Sequence, residues 1–502
     1  MEEKTQVLGP TYSSTITDLE TLSNASVQQE PLKASRKFLW VVPLAPHAHP
    51  IQFFFLMLAV FVPIAIIVFI ASAQSFYILI RITSVSHETG DITGSLALYS
   101  EIISLVFVVF WGVFSDYHEK RTVMALGIII MGIPAICYPY ATNIYPSLLL
   151  LRLVFSVGTA ATTSMMAAFF IEVVNGKGGL ASGILGASSG LGAIFSVFVL
   201  FMVPSYLNKA YQDYTKSLNI TFGVIGGCTV FLGMLLYFVL PKSPNVLKQK
   251  ERHPPRGKQE LLPSSSSSSF FLVRWCGYFA NGVLDFIFKI KCGVLAAKDP
   301  RIALGYTTSF FARADEIIIT NFVSLWITQY YIENGTCEVG SPCYTSAATS
   351  GTLTGIAQAV ALVACPFFAA GSEYLPKEFP IMMAGLIGAG GCIPFAFSID
   401  PTSKASMALV VLIGIGQYGM IISGLTMVGG DHVPVDYRGS VAGTYSFFGA
   451  LGIIVLSKLG GVLFDRWMKG APFLLLGIGH ALVLVLSIIV YLWGRFSKKA
   501  SH

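Results

Sequence analysis

The chain has 502 residues, 54% of them hydrophobic and only 12% charged, with a mean hydropathy of +0.70. Soluble domains carry about a quarter charged residues, so this composition excludes one and points to a polytopic membrane protein. The net charge of +6 gathers in a few loops rather than in a basic stripe, so no nucleic-acid partner is expected.

The first forty residues are polar and Ser/Thr-rich, without the apolar core of a leader peptide, and residues 1–50 read as a disordered cytosolic tail. From Ile51 onward long apolar runs recur. About 20 such residues cross the hydrocarbon core as a helix, whereas a barrel would need short alternating segments. Twelve spans are predicted, at 51–80, 94–115, 121–141, 144–171, 178–203, 220–240, 306–332, 345–370, 380–398, 404–430, 437–464 and 471–493. The fold class is therefore an all-α membrane protein of two six-helix bundles, 51–240 and 306–493. A cytosolic linker at 241–305, with a basic run and a six-serine tract, joins them, and 494–502 form a cytosolic tail.

With the N-terminus inside, 23 of the 32 Lys and Arg fall in cytosolic segments and six on the other side, which sets the orientation. Phe270–Ile290 is apolar enough to span but carries Arg274, Asp285 and Lys289, and it reads as a helix lying at the cytosolic interface. Of the cysteines in apolar runs, Cys137, Cys228, Cys365 and Cys392 read as small buried hydrophobes. Cys337 and Cys343 instead flank a polar loop on the external side, where they are expected to form a disulfide beside a glycosylation acceptor at Asn334.

Between the second and third predicted spans lies the charged turn GVFSDYHEKR, Gly112 to Arg121. Asp116 stands where one helix ends, and Lys120 and Arg121 where the next begins. Ser115, Asp116 and Lys120 return 257 residues later as Ser372, Glu373 and Lys377, and Gly183 and Gly192 return 260 residues later as Gly443 and Gly452. Such a repeat places a solute path between two related bundles.

On these residues the chain resembles the major facilitator superfamily. Gly112, Asp116, Lys120 and Arg121 match its signature turn, with Glu119 where the family has a second glycine. Val433 to Gly439 resembles its loop before the eleventh span, with Pro434, Arg438 and Gly439 in place. The resemblance implies transport of a small organic solute by alternating access, without enzymatic activity and without a cofactor. Gly112, Asp116, Lys120, Arg121, Glu373, Lys377, Asp431 and Arg438 would be the cytosolic gate. Arg152, with Gly158 six residues on and Ser156 replacing another glycine, resembles the fourth-span motif of proton-coupled, drug-antiporter-like members; an arginine reaching the outer interface is the plain alternative. Gly183, Gly186, Gly190 and Gly192 suit close helix contact, but the Gly-Pro pair of drug antiporters is absent. The seventh span opens with Arg313, Asp315 and Glu316 inside one turn, as in uncharacterised fungal members, and reads either as a gate or coupling site or as an internal ion pair.

Glu101, Gln358, Gln417 and Lys458 are the other embedded polar residues of note. Glu101 is the candidate proton carrier, because a carboxyl group in apolar surroundings can be neutral in one state and charged in another; a place at the outer rim is its plain alternative. Partners expected are the solute, protons and the bilayer, around a monomer in the plasma, vacuolar or endosomal membrane. A facilitative uniporter and a solute-sensing receptor are the competing readings.

Overall fold

The computed structural model describes residues 37–38, 42–45, 48–81, 88–173, 178–241, 268–338, 343–430, 433 and 438–500. Asp431, the first four residues of the serine tract and the basic run of the linker lie outside them. The helices in chain order are α1 (Pro50–Arg81), α2 (Thr89–Tyr117), α3 (Lys120–Cys137), α4 (Leu149–Val173), α5 (Gly178–Phe198), the short α6 (Val203–Tyr211) and α7 (Tyr214–Val239). There follow α8 (Ser268–Ala296), α9 (Pro300–Glu333), α10 (Tyr344–Tyr374), α11 (Glu378–Ala396), α12 (Lys404–Val428), α13 (Arg438–Arg466) and α14 (Ala471–Ala500).

These segments are helical because hydrocarbon offers no partner for a backbone N–H or C=O, and a helix satisfies them within one segment. The same economy tolerates Pro63, Pro134, Pro366 and Pro394 inside α1, α3, α10 and α11. Among the described residues, eleven helices are long and apolar enough to cross a membrane. The twelfth spanning helix is α9, which is less apolar because it carries Arg313, Asp315 and Glu316 and, further along, polar residues such as Asn321 and Gln329. Its 34 residues span about 51 Å, more than the ~30 Å of a hydrocarbon core. It begins at Pro300, six residues earlier than the sequence suggests, because Asp299 accepts from the Arg301 backbone N–H at 2.9 Å and caps it. The protein is a multi-pass integral membrane protein.

The packing of the first six spans repeats in the second six. Helix α1 packs on α5 as α9 packs on α13, α3 on α7 as α11 on α14, and α3 on α4 as α11 on α12. Two glycines that share the 260-residue offset do the same job in each half. A Cβ on Gly192 would overlap the Phe61 carbonyl of α1, and one on Gly452 the Phe310 carbonyl of α9. Both positions let two helices touch backbone to backbone.

Two expectations change. Two short strands of the tail, β1 (Lys37–Phe38) and β2 (Val42–Pro43), pair antiparallel rather than lying loose. Phe38 packs on Phe53 at 5.0 Å between ring centroids, and Leu44 is fully buried, so apolar side chains draw this end of the tail onto the first bundle. Cys137 and Cys228 are exposed and Cys365 half-buried, leaving Cys392 as the one of the four that is a buried hydrophobe.

Candidate functional site

The two halves meet tightly at one end. There α2 begins and α13 ends, and the join is made of charge and backbone. The Asp465 carboxylate of α13 accepts from the backbone N–H of Gly90 at 3.0 Å and of Asp91 at 2.7 Å. Glu88, the residue before α2, makes no side-chain cap, so the second half supplies the cap that the first half lacks. Lys458 donates to Asp91 at 2.5 Å and to Ser95 at 2.8 Å. Gln329 of α9 donates to Thr89 at 2.6 Å. Glycines make the approach: a Cβ on Gly94 would overlap the Ser457 carbonyl, and one on Gly461 the Gly90 carbonyl. Beside this join, α5 and α10 meet where Phe198 lies over Gly355 and Met202 over Gly351.

At the other end the halves stand apart. A Cβ on Gly112, Gly186, Gly439 or Gly443 would meet nothing within 4 Å. The signature turn makes its bonds inside its own half. Lys120 pairs with Glu172 of α4 at 2.6 Å, and Arg121 pairs with Glu119 and lies 5.4 Å from the centroid of the Tyr237 ring. Asp116 is the penultimate residue of α2. In the second half Glu373 is exposed and Lys377 precedes α11, but the ion pair there joins Arg301 to Glu378 at 3.2 Å. Glu378 stands, by the 257-residue offset, at the position of Arg121 in the first half. Arg438 Nε donates to the Val433 carbonyl at 3.3 Å.

Between the two ends, polar groups of both halves face each other. Arg313 on α9 pairs with Glu316 at 3.8 Å, and their side chains are 50% and 33% exposed in the middle of a spanning helix. Gly449 of α13 leaves room for the Arg313 stem. Glu101, on α2 of the other half, lies within electrostatic range of both and has no hydrogen bond or ion pair among the described residues. Tyr418 and Tyr445 complete the surroundings of Arg313.

The third charge of that turn leaves the group. Asp315 points into the second half, where His480 Nε2 of α14 lies 2.9 Å away and both side chains are fully buried. At 100° per residue, Arg313 and Glu316 share a face that Asp315 does not, so the three charges separate into two sites. Arg152 is 8% exposed, with its guanidinium 6.0 Å from the Phe155 ring centroid and its Nε without a partner. Gln358 and Gln417 are buried, and the Gln417 amide has no partner among the described residues. Cys337 and Cys343 form a disulfide, with Cα atoms 5.5 Å apart, and Asn334 ends α9 in an exposed position. Asp91, Asp465, Gln329, Glu172 and His480 were not singled out from sequence, since each acquires its role from a partner on a distant helix.

Two repeated six-helix halves, joined at one end and separate at the other, with charges facing across the middle, are the build of a non-enzymatic membrane transporter. The family model for the Major Facilitator Superfamily matches residues 51–457, and the chain belongs to that superfamily. Among curated proteins it is similar to the magnetosome protein MamH of Paramagnetospirillum magneticum, 29% identical over 191 residues, which cover 38% of this chain and 42% of that protein. It is also similar to the magnetosome protein MamZ of Magnetospirillum gryphiswaldense, 28% identical over 185 residues, covering 37% of this chain and 28% of that one. The match thus spans less than half the length of these relatives. Solved structures share the fold. The D-xylose-proton symporter superposes with a TM-score of 0.63 at 13% identity, covering 87% of this chain and 96% of that one. The nucleoside transporter NupG does so with 0.61 at 14%, covering 88% and 99%.

Proposed function

We propose that this protein carries a small organic solute across its membrane by alternating access, driven by protons, with both termini in the cytosol. The observation that carries the reading is the group formed by Glu101 from one half and the Arg313–Glu316 pair from the other, lying between a joined end and an open end. Two carboxylates lie within electrostatic range of one guanidinium. Arg313 is paired with Glu316, so Glu101 is left to take a proton or a polar group of the solute. Charges in the middle of a membrane are costly unless they face water or one another, and this group does both.

On the topology derived from the basic residues, the joined end is external and the open end cytosolic, so the arrangement is inward-facing. The signature turn is then disengaged, with Lys120 and Arg121 held by Glu172, Glu119 and Tyr237 of their own half. In the outward-facing state they would turn to the second half and clamp the cytosolic ends together, while the external join opens. The names of the structural neighbours, a nucleoside transporter and a D-xylose-proton symporter, recommend nucleosides and sugars as the first probes.

The test is uptake into proteoliposomes under an imposed pH gradient, screened over those solutes. Accumulation that rises with the gradient supports the reading. Equilibration indifferent to it would make the protein a uniporter, and saturable binding without any accumulation would make it a receptor.

A further inference from the structure

Helix α8 is the one long helix among the described residues that the twelve spans do not use. Gly282 lies against Val113 of α2 with no room for a Cβ, and Gly293 lies as closely against Ser440 and Thr444 of α13. Eleven residues, about three turns, separate the two glycines, so they share one face. That face lies across the open end and touches both halves. It is bonded there as well: the Gly293 carbonyl accepts from the Tyr306 hydroxyl at 2.8 Å and the Ile290 carbonyl from Thr444 at 3.4 Å.

The opposite face is apolar and uncovered. Leu284, Ile287, Phe288 and Leu295 are 63%, 57%, 63% and 54% exposed. Exposed Lys291 stands within this stripe and exposed Lys298 just beyond its end, while exposed Lys289 lies on the glycine side, at the edge of the wedge. Asp285 is the only acidic residue from 282 to 298, and it pairs with Lys289 at 2.7 Å, leaving Lys291 and Lys298 without an ion pair among the described residues. Two residues after Lys298, α9 begins and runs into the bilayer, which holds this face at the membrane surface on the side of the signature turn.

We propose that this face binds the anionic headgroup surface of the bilayer, and that lipid held there keeps α8 wedged between Val113 and Thr444 and so keeps the open end open. An apolar stripe rimmed by lysines fits the boundary between acyl chains and negative headgroups. Closure requires the cytosolic ends of α2 and α13 to approach, and α8 must then leave one of them; attachment to lipid opposes that. The inference rests on the inward-facing reading above, but its test needs no substrate.

The experiment uses the full chain, one copy per nanodisc, with the free cysteines replaced by serine. Spin labels at His118→Cys and Gly439→Cys report the separation of the cytosolic ends of α2 and α13 by pulsed electron–electron resonance. Replacing part of the phosphatidylcholine by phosphatidylglycerol is expected to raise the ratio of wide to narrow separations at least about fivefold, the equivalent of ~1 kcal/mol for one lysine near an anionic surface. The triple variant K289Q/K291Q/K298Q should lose that gain while remaining monodisperse, and high salt should erase it in the unsubstituted protein. Equal ratios in the two lipids, or a gain that survives both the triple substitution and salt, would overturn the proposal. A gain seen only with two copies per disc would assign the face to a second copy and overturn it too. Loss of the lipid effect with uptake intact leaves the transport reading standing, and the converse result separates the two in the other direction.

Discussion

At the residue scale, the informative groups are those whose partners come from the other half. Glu101 has none of its own, and it faces the Arg313–Glu316 pair. Glu101→Gln keeps size and polarity but removes the proton. Gradient-driven uptake in proteoliposomes is expected to fall at least about tenfold, a loss of ~1.4 kcal/mol, while exchange of solute without a gradient persists. Asp315 behaves differently although it is two residues from Arg313. Its partner His480 is fully buried, and removing one member of such a pair leaves the other polar group stranded. Asp315→Ala should therefore cost ~3–5 kcal/mol, read as a lowered Tm in detergent, and Asp315→Leu combined with His480→Leu should recover much of it.

At the element scale, α2 and α13 hold the joined end by a cap and by glycines. Asp465 caps a helix of the other half, so Asp465→Ala removes ~1 kcal/mol from the joined state and about a fivefold preference for it. The measurement is modification of a cysteine placed at Ser95 by an impermeant reagent added from outside, which should speed up in the variant. Gly94→Val acts by volume rather than charge. Its side chain would occupy the place of the Ser457 carbonyl, so the joined end cannot close and the same cysteine should be open to reagent throughout. A rate unchanged in Gly94→Val would mean that the halves meet elsewhere.

For the whole molecule, the repeat is the feature that the proposed alternating access would use to give one chain two states. Each half is internally packed by the same set of helix pairs, and the contacts between halves centre on α2 against α13, with polar links at one end. A rigid-body change then exchanges one set of end contacts for another without repacking either half. The disulfide between Cys337 and Cys343 closes a loop within the second half and so leaves this motion free.

Sequence alone determined the membrane class, the twelve spans, the two related halves and the superfamily, because hydropathy, basic-residue bias and short turn motifs are local properties of the chain. It marked Glu101, Arg152 and Arg313 as polar residues in apolar helices for the same reason. What only the tertiary structure decided is which partner each of them meets. Asp315 goes to His480 and not to Arg313, Glu378 and not Glu373 takes the basic partner of its turn, and Asp465 caps α2 from 374 residues away. Periodicity gives the face of a helix but not the helix opposite. Which helices lie opposite depends on how two bundles dock, and that is set by glycine-sized gaps and shared charges distributed over the whole chain.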